Sequence, residues 1–139
     1  MIEVYTDGLA EPNPGIGTYG FTIYKNGRRL TDGHGFAGEP VTNNFAEYEG
    51  LVKALQKVRE YPDEEIVVYS DSKLVVNQME GVWKFKKGAY VDKFLKAREL
   101  AKTFPHIRFK WIRREENSEA DELSRVAYAH ALRRKKGGL

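Results

Sequence analysis

Two spacings of apolar residues alternate along this chain, and the switches between them divide it into elements. Ile2 to Thr6 reads as a strand and Tyr19 to Lys25 alternates with period two, with the proline- and glycine-rich "EPNPGIG" expected as the loop between them. Asn26-Gly27 is a hairpin turn signal, so Arg28 to Ala37 is expected to return as the partner strand, up to a break at "GEPVTN". From Asn44 the apolar residues Phe45, Tyr48, Leu51, Val52, Leu55 and Val58 keep helical spacing until Tyr61-Pro62. The short apolar run "EIVVYSD" predicts a central strand covered on both faces. A short helix is expected over Ser72 to about Met79, then an interruption at "GVWKFKKG" and a second clear helix in "YVDKFLKARELAKTF". "HIRFKWI" is the last strand, and a final helix is expected from Ser118 to about Arg133.

The order is strand, strand, strand, helix, strand, helix, helix, strand, helix. A β-meander followed by right-handed strand–helix–strand crossovers predicts an α/β fold, a mixed five-stranded sheet with helices on both faces. Residues 1–139 are expected to form one domain, because no repeat or long linker divides them.

Composition narrows the chemistry. The chain has no cysteine, which excludes disulfides, thiolate metal sites and thiol nucleophiles and agrees with a reducing compartment. No apolar run approaches the roughly 18 residues of a membrane span. "MIEVYTDG" carries an acid where a signal peptide starts basic and then apolar, so no membrane association and a cytoplasmic location are expected. The net charge is +3, with basic clusters at "KNGRR", "KFKK" and "RRKK". These fit a polyanion partner and fit a solvated basic surface equally well.

Four acids stand out against that background. In sheets of this kind chemistry gathers outside the carboxyl ends of the parallel strands. Asp7 is expected at the carboxyl end of the first strand and Asp71 at that of the fourth. Glu47 is expected in the first turn of the first helix, on the face of Leu51, and Asp121 in the first turn of the last helix. Each has an ordinary alternative. Asp7-Gly8 is a turn pair, Asp71-Ser72 a helix cap, Glu47 a complement to the helix dipole, and Ser118 to Asp121 a capping box. None of these explains why one topology would bring all four to one rim. Converging carboxylates repel unless cations lie between them, and such hard oxygen ligands suit Mg²⁺ or Mn²⁺.

"YTDG" with "NPGIGTYG", "TNNFAE", "SDS" and "NSEADELS" resembles the type 1 ribonuclease H family over nearly the whole chain. The resemblance implies the ribonuclease H-like fold and two-metal-ion hydrolysis of the RNA strand of RNA/DNA hybrids, leaving 5′-phosphate and 3′-hydroxyl ends. Asp7, Glu47, Asp71 and Asp121 match the family's metal-binding acids, with two Mg²⁺ ions expected and Mn²⁺ as substitute. Asn13, Asn43 and Asn44 match positions that contact the minor groove, and the glycines around Asp7 are expected to let backbone approach it. Thr42, Lys73 and Trp83 are further nucleic-acid contacts, with a packing role as the alternative for Trp83.

The chain departs from the best-known bacterial members in two ways. "GVWKFKKGAY" is a remnant of their basic protrusion, and "RREENSEAD" lacks their loop histidine, so the resemblance is to the compact, archaeal-type members. Arg114 matches the arginine those members carry there and is expected to assist catalysis. His34, His106 and His130 receive no role. The expected partner is an RNA/DNA hybrid, with double-stranded RNA a second candidate, for a monomer with a basic C-terminal tail at about 133–139. Rival readings are a non-catalytic nucleic-acid-binding module or another nuclease or resolvase on the same fold, with a carboxylate-pair glycosidase a distant third.

Overall fold

A computed structural model describes residues 1–61, 65–85 and 87–137. Pro62, Lys86 of "KFKK" and the last two residues of the tail lie outside the described residues. The strands are β1 (Ile2–Glu11), β2 (Gly15–Lys25), β3 (Arg28–Val41), β4 (Ile66–Ser70) and β5 (Ile107–Trp111). The helices are α1 (Asn43–Val58), α2 (Lys73–Met79), α3 (Val91–Lys102) and α4 (Ser118–Gly137), and a 3₁₀ turn over Arg114–Asn117 leads into α4. The sheet order is β3-β2-β1-β4-β5. β1, β2 and β3 form the antiparallel meander, and β1–β4 and β4–β5 pair parallel. Among the described residues no helix is long and apolar enough to cross a membrane.

Two glycines reveal how the helices flank the sheet. Gly8 faces Tyr19 across β1–β2, and a Cβ on Gly8 would lie 2.5 Å from Ala46 C and Glu47 N of α1. The next pair, Asp7 and Gly20, points to the other face, where a Cβ on Gly20 would lie 2.6 Å from Ala120 O of α4. Since successive residues of a strand face opposite ways, α1 and α4 lie on opposite faces of the sheet. The core fills the α1 side: Val4, Ile23, Val68 and Phe109 from the strands meet Leu51 and Leu55 of α1 and Phe94 and Leu100 of α3. Buried Gln78 of α2 accepts from the Tyr48 hydroxyl and donates to the Tyr90 hydroxyl at 3.0 Å, which fastens α2 to α1 and to the entry of α3.

Several expected boundaries move. β1 runs on to Glu11 and β2 starts at Gly15, because their antiparallel ladder continues to Glu11↔Ile16 and buries Leu9, Ala10 and Ile16. "EPNPGIG" therefore supplies a tight turn and strand ends instead of a loop, and Asp7 stands inside β1. β3 passes through the expected break to Val41, which pairs with Gly15. α1 starts at Asn43, capped by the Thr42 side chain, so Glu47 falls in the second turn. The basic run at 133–136 forms the last turns of α4, where Arg and Lys favour helix and complement its C-terminal dipole. Lys135 there pairs with Glu39 of β3.

The contact at Gly20 can be tested directly. Gly20→Ala is expected to lower stability by about 1–3 kcal/mol through overpacking, seen as a lower urea midpoint at unchanged m-value. An unchanged midpoint would mean that α4 is not seated on β2 at this glycine.

Candidate active site

The parallel ladder between β1 and β4 ends at Thr6↔Ser70, and Asp7 and Asp71 follow directly, Asp7 within β1 and Asp71 just past the end of β4. They emerge together for that reason: equal register carries both past the last pair at one rim. Asp7 is 6% exposed, and its Oδ1 accepts from Gly8 N at 2.9 Å. Ser72, not Asp71, caps α2, its Oγ accepting from Val75 N at 3.2 Å, so the Asp71 carboxylate is not committed to the cap. Glu47 arrives from the other side of β1. With no side chain on Gly8, α1 packs against the strand backbone at Ala46–Glu47, while Gly8 also lines the cleft. Glu47 is 8% exposed, and its Oε2 has no hydrogen-bond partner. Ligand oxygens of Asp7, Glu47 and Asp71 all lie within 4.8 Å of one another.

The fourth acid stands beside this trio. Asp121 lies in the first turn of α4 and lines the same cleft, of about 460 Å³, but is outside the group of three. Its Oδ2 accepts from Arg125 Nε, one helical turn on, at 3.2 Å, and Arg125 also lies 4.0 Å from Glu11. The four expected acids thus share one cleft: three bring ligand oxygens within 4.8 Å of one another, and Asp121 joins them through Asp7, a hydrogen bond between the two carboxyl groups helping to raise Asp7.

Burial dominates the electrostatics. It lifts Asp7 from 3.8 to about 7, with the Asp71 charge adding to the effect. Burial and then Asp7 hold Glu47 well above its ordinary value. Asp71 is also raised by burial, while the Arg114 guanidinium and the Asn117 amide pull it back. Buried like charges at this spacing, all oxygen donors, with one oxygen unpartnered, are the donor set a hard divalent cation fits.

The other expected residues divide between cleft and periphery. Asn43, Asn44 and Arg114 line the cleft. Asn13 Oδ1 accepts from Asn43 N at 3.0 Å and Asn43 Oδ1 from Ala10 N at 2.7 Å, so both asparagines tie the β1–β2 turn to the start of α1. Thr42 Oγ1 accepts from Phe45 N at 3.2 Å as the cap of α1. Lys73 and Trp83 are not among the cleft-lining residues. Lys73 Nζ sits 4.9 Å from the centre of the Trp111 ring, and Trp83 is exposed on the segment after α2.

Three cleft-side residues escaped the sequence reading. Trp111, at the carboxyl end of β5, donates its indole N–H to the Asp71 carbonyl at 3.1 Å. Its place at a parallel strand end was a usable signal. The four-residue spacing of Asp121 and Arg125 was another. Asn117 had none, because its Nδ2 donates to Thr6 O, 111 residues away, at 2.8 Å.

A mixed sheet in this order, with helices on opposite faces, defines a ribonuclease H-like α/β domain. A family model described as reverse transcriptase-like matches residues 5–127. LC11-RNase H1, isolated from compost and solved in complex with an RNA/DNA hybrid, superposes with a TM-score of 0.89 at 38% identity, over 95% of this chain and 99% of that one. A ribonuclease H of a Sulfurovum species is 37% identical over 136 residues, 90% of this chain and 88% of that protein. A bifunctional protein of Mycobacterium tuberculosis is 34% identical over 128 residues, 91% of this chain but 35% of that protein. This chain thus spans about a third of the length of the first curated relatives it matches. The chain belongs to the type 1 ribonuclease H family.

The buried acids make stability depend on pH in a defined direction. Asp7 titrates at about 7 in the folded protein against 3.8 in an unfolded chain. Between these values the folded state keeps a proton that the unfolded state has released, so this group lowers stability as pH rises through the window. In chelator, Asp7→Asn is expected to match the parent near pH 4 and to exceed it increasingly up to about pH 7, read as urea midpoints. A constant difference across that range would contradict the raised pKa.

Proposed function

We propose that this chain is a metal-dependent endoribonuclease, acting as a monomer in the cytoplasm, that hydrolyses the RNA strand of RNA/DNA hybrids and leaves 5′-phosphate and 3′-hydroxyl ends. Asp7, Glu47 and Asp71 hold divalent cations, Mg²⁺ or Mn²⁺, and Asp121 completes the set from α4. The observation that carries this reading is the trio itself, with ligand oxygens within 4.8 Å of one another and Glu47 Oε2 unpartnered. Relatives named ribonuclease H, and a fold neighbour solved with an RNA/DNA hybrid, support the substrate. A pair of cations in such a site supplies activation of the attacking water and stabilisation of the leaving oxygen.

The chain's own groups orient the hybrid. The Oδ1 atoms of Asn13 and Asn43 are committed to backbone N–H groups, so their Nδ2 groups remain as donors toward the minor groove. That groove displays the 2′-hydroxyl, the group that separates RNA from DNA at a given nucleotide. Asn44 joins them from the cleft wall. Thr42 uses its oxygen as a cap and keeps its hydroxyl proton for a phosphate of the DNA strand. Lys73 and Trp83 act on the same strand. Arg114, beside Asp71, presents a planar fork to a substrate phosphate and stays charged at any working pH.

The direct test offers labelled hybrid, duplex RNA and duplex DNA with Mg²⁺, Mn²⁺ or chelator. RNA in the hybrid should be cut with either ion and spared in chelator. Asp71→Asn should abolish cleavage with hybrid affinity retained and a urea midpoint no lower than the parent's, since shape is kept and one ligand charge is lost. Cleavage within about tenfold of the parent would overturn the assignment.

Arg114 generates a second expectation. Arg114→Ala should reduce kcat by roughly 10²-fold with little change in KM, because the contact strengthens as charge develops on the phosphate. Arg114→Lys should restore only part, since a point charge does not reproduce the fork. Arg113→Ala is the control, and equal small effects at both positions would remove Arg114 from the mechanism.

A further inference from the structure

Behind the segment that carries Arg114 and Asp121 lies a second pocket, of about 380 Å³, lined by Glu3, Tyr5, Tyr24, Glu116, Asn117 and Glu119 together with Gly27, Ser118 and Ala120. Its charge is opposite to that of the whole. In a chain of net charge +3, three glutamates line it and no Lys, Arg or His does. Arg29 reaches Glu119 at 3.3 Å but divides itself with Asp32 at 2.9 Å, and the Tyr24 hydroxyl also donates to Glu119. The Tyr69 hydroxyl donates to Glu3 at 3.2 Å. The Glu116 carboxylate has no partner among the described residues. The start of α4 contributes about half a positive charge here, which three carboxylates outweigh.

A separate observation concerns Asn117. It is 1% exposed and lines this pocket, yet its Oδ1 has no hydrogen-bond partner. Its Nδ2 is engaged with Thr6 O at 2.8 Å, so the planar amide turns its oxygen away from that carbonyl. A buried acceptor left open costs free energy until a donor reaches it. Tyr5 and Tyr24 add aromatic walls, their rings meeting edge to face at 5.9 Å. Three carboxylates, an open amide oxygen and π-faces, with Arg29 divided between Glu119 and Asp32, describe a site for a ligand that is cationic and rich in N–H groups.

The ligand's shape follows from the spread of the acids. Among the described residues only Asp7, Glu47 and Asp71 bring three ligand atoms within 4.8 Å of one another, so Glu3, Glu116 and Glu119 do not converge on one point cation. We propose that this pocket binds a linear aliphatic diamine or polyamine, with one ammonium on Glu116 and Asn117 Oδ1, the methylene chain along Tyr5 and Tyr24, and a second ammonium at the Glu3 end. Binding is independent of the activity proposed above, and the test uses the full chain without nucleic acid.

Calorimetric titration of the protein with 1,4-diaminobutane, at constant ionic strength and in chelator, should give one saturable site. N-butylamine should bind about tenfold more weakly, and Glu116→Gln should weaken the diamine by a similar factor. Glu47→Gln should leave the affinity unchanged, and the Asn117 side-chain amide signals should shift with saturation in a nitrogen–proton correlation spectrum. Equal affinity for monoamine and diamine would mean a general ionic attraction and overturn the proposal. So would binding lost in Glu47→Gln, which would place the amine in the catalytic cleft, or binding indifferent to Glu116→Gln.

Discussion

Three carboxylates held with their ligand oxygens within 4.8 Å of one another are the constraint around which this fold is arranged. At that spacing each charged pair repels by about 3–4 kcal/mol at an effective dielectric near 20, and burial adds a desolvation penalty. Local geometry alone would let the acids swing apart. What prevents it is that each sits on an element fixed elsewhere. β1 and β4 are locked in register by pairing from Ile2↔Ile66 to Thr6↔Ser70. α1 is anchored by Tyr48, Leu51 and Leu55, all fully buried directly after Glu47. The stability of the core is thus what holds the three acids together at the rim.

Absent side chains matter as much as present ones. Gly8 admits α1 on one face of the sheet and Gly20 admits α4 on the other. These two contacts bring Glu47 and Asp121 toward the same residue, Asp7, from opposite sides. Arg125 then holds Asp121 at the cleft wall, and Asn117 ties the start of α4 to Thr6, one residue before Asp7. The acids are supported by a scaffold of backbone contacts and single polar clasps. Basic groups lie around that centre: Arg114 and Arg125 on the cleft wall, Lys73 over Trp111, and the lysines near Trp83. A polyanion meeting this surface encounters these cations around the central carboxylates.

Much of this was legible in the chain. Helical spacing from Phe45 to Val58 and the apolar run at "IVVYS" placed α1 and β4, and the order of elements gave the sheet. The errors at the strand boundaries share one cause. Proline, glycine and asparagine clusters at Glu11 to Gly17 and at Gly38 to Asn43 read as breaks, but the β1–β2 and β2–β3 ladders run through much of both. Local turn propensity was overruled by pairing partners far along the chain. The end of the last helix moved for a different reason: it was expected at about Arg133, whereas Arg and Lys extend α4 to Gly137 at little cost.

The amino-acid order by itself determined which residue types were available and on which elements they would ride: four acids on two strands and two helices, asparagines at a helix start, an arginine before the last helix. Those properties depend on periodicity and neighbours within a few residues, which a sequence displays. The tertiary structure alone decided that three acids cluster tightly while Asp121 joins them through Asp7, that Gly8 and Gly20 are contact points for helices, and that Asn117 reaches Thr6 across 111 residues. Distances of a few ångströms between remote residues arise from the packing of whole elements, and no local pattern encodes them.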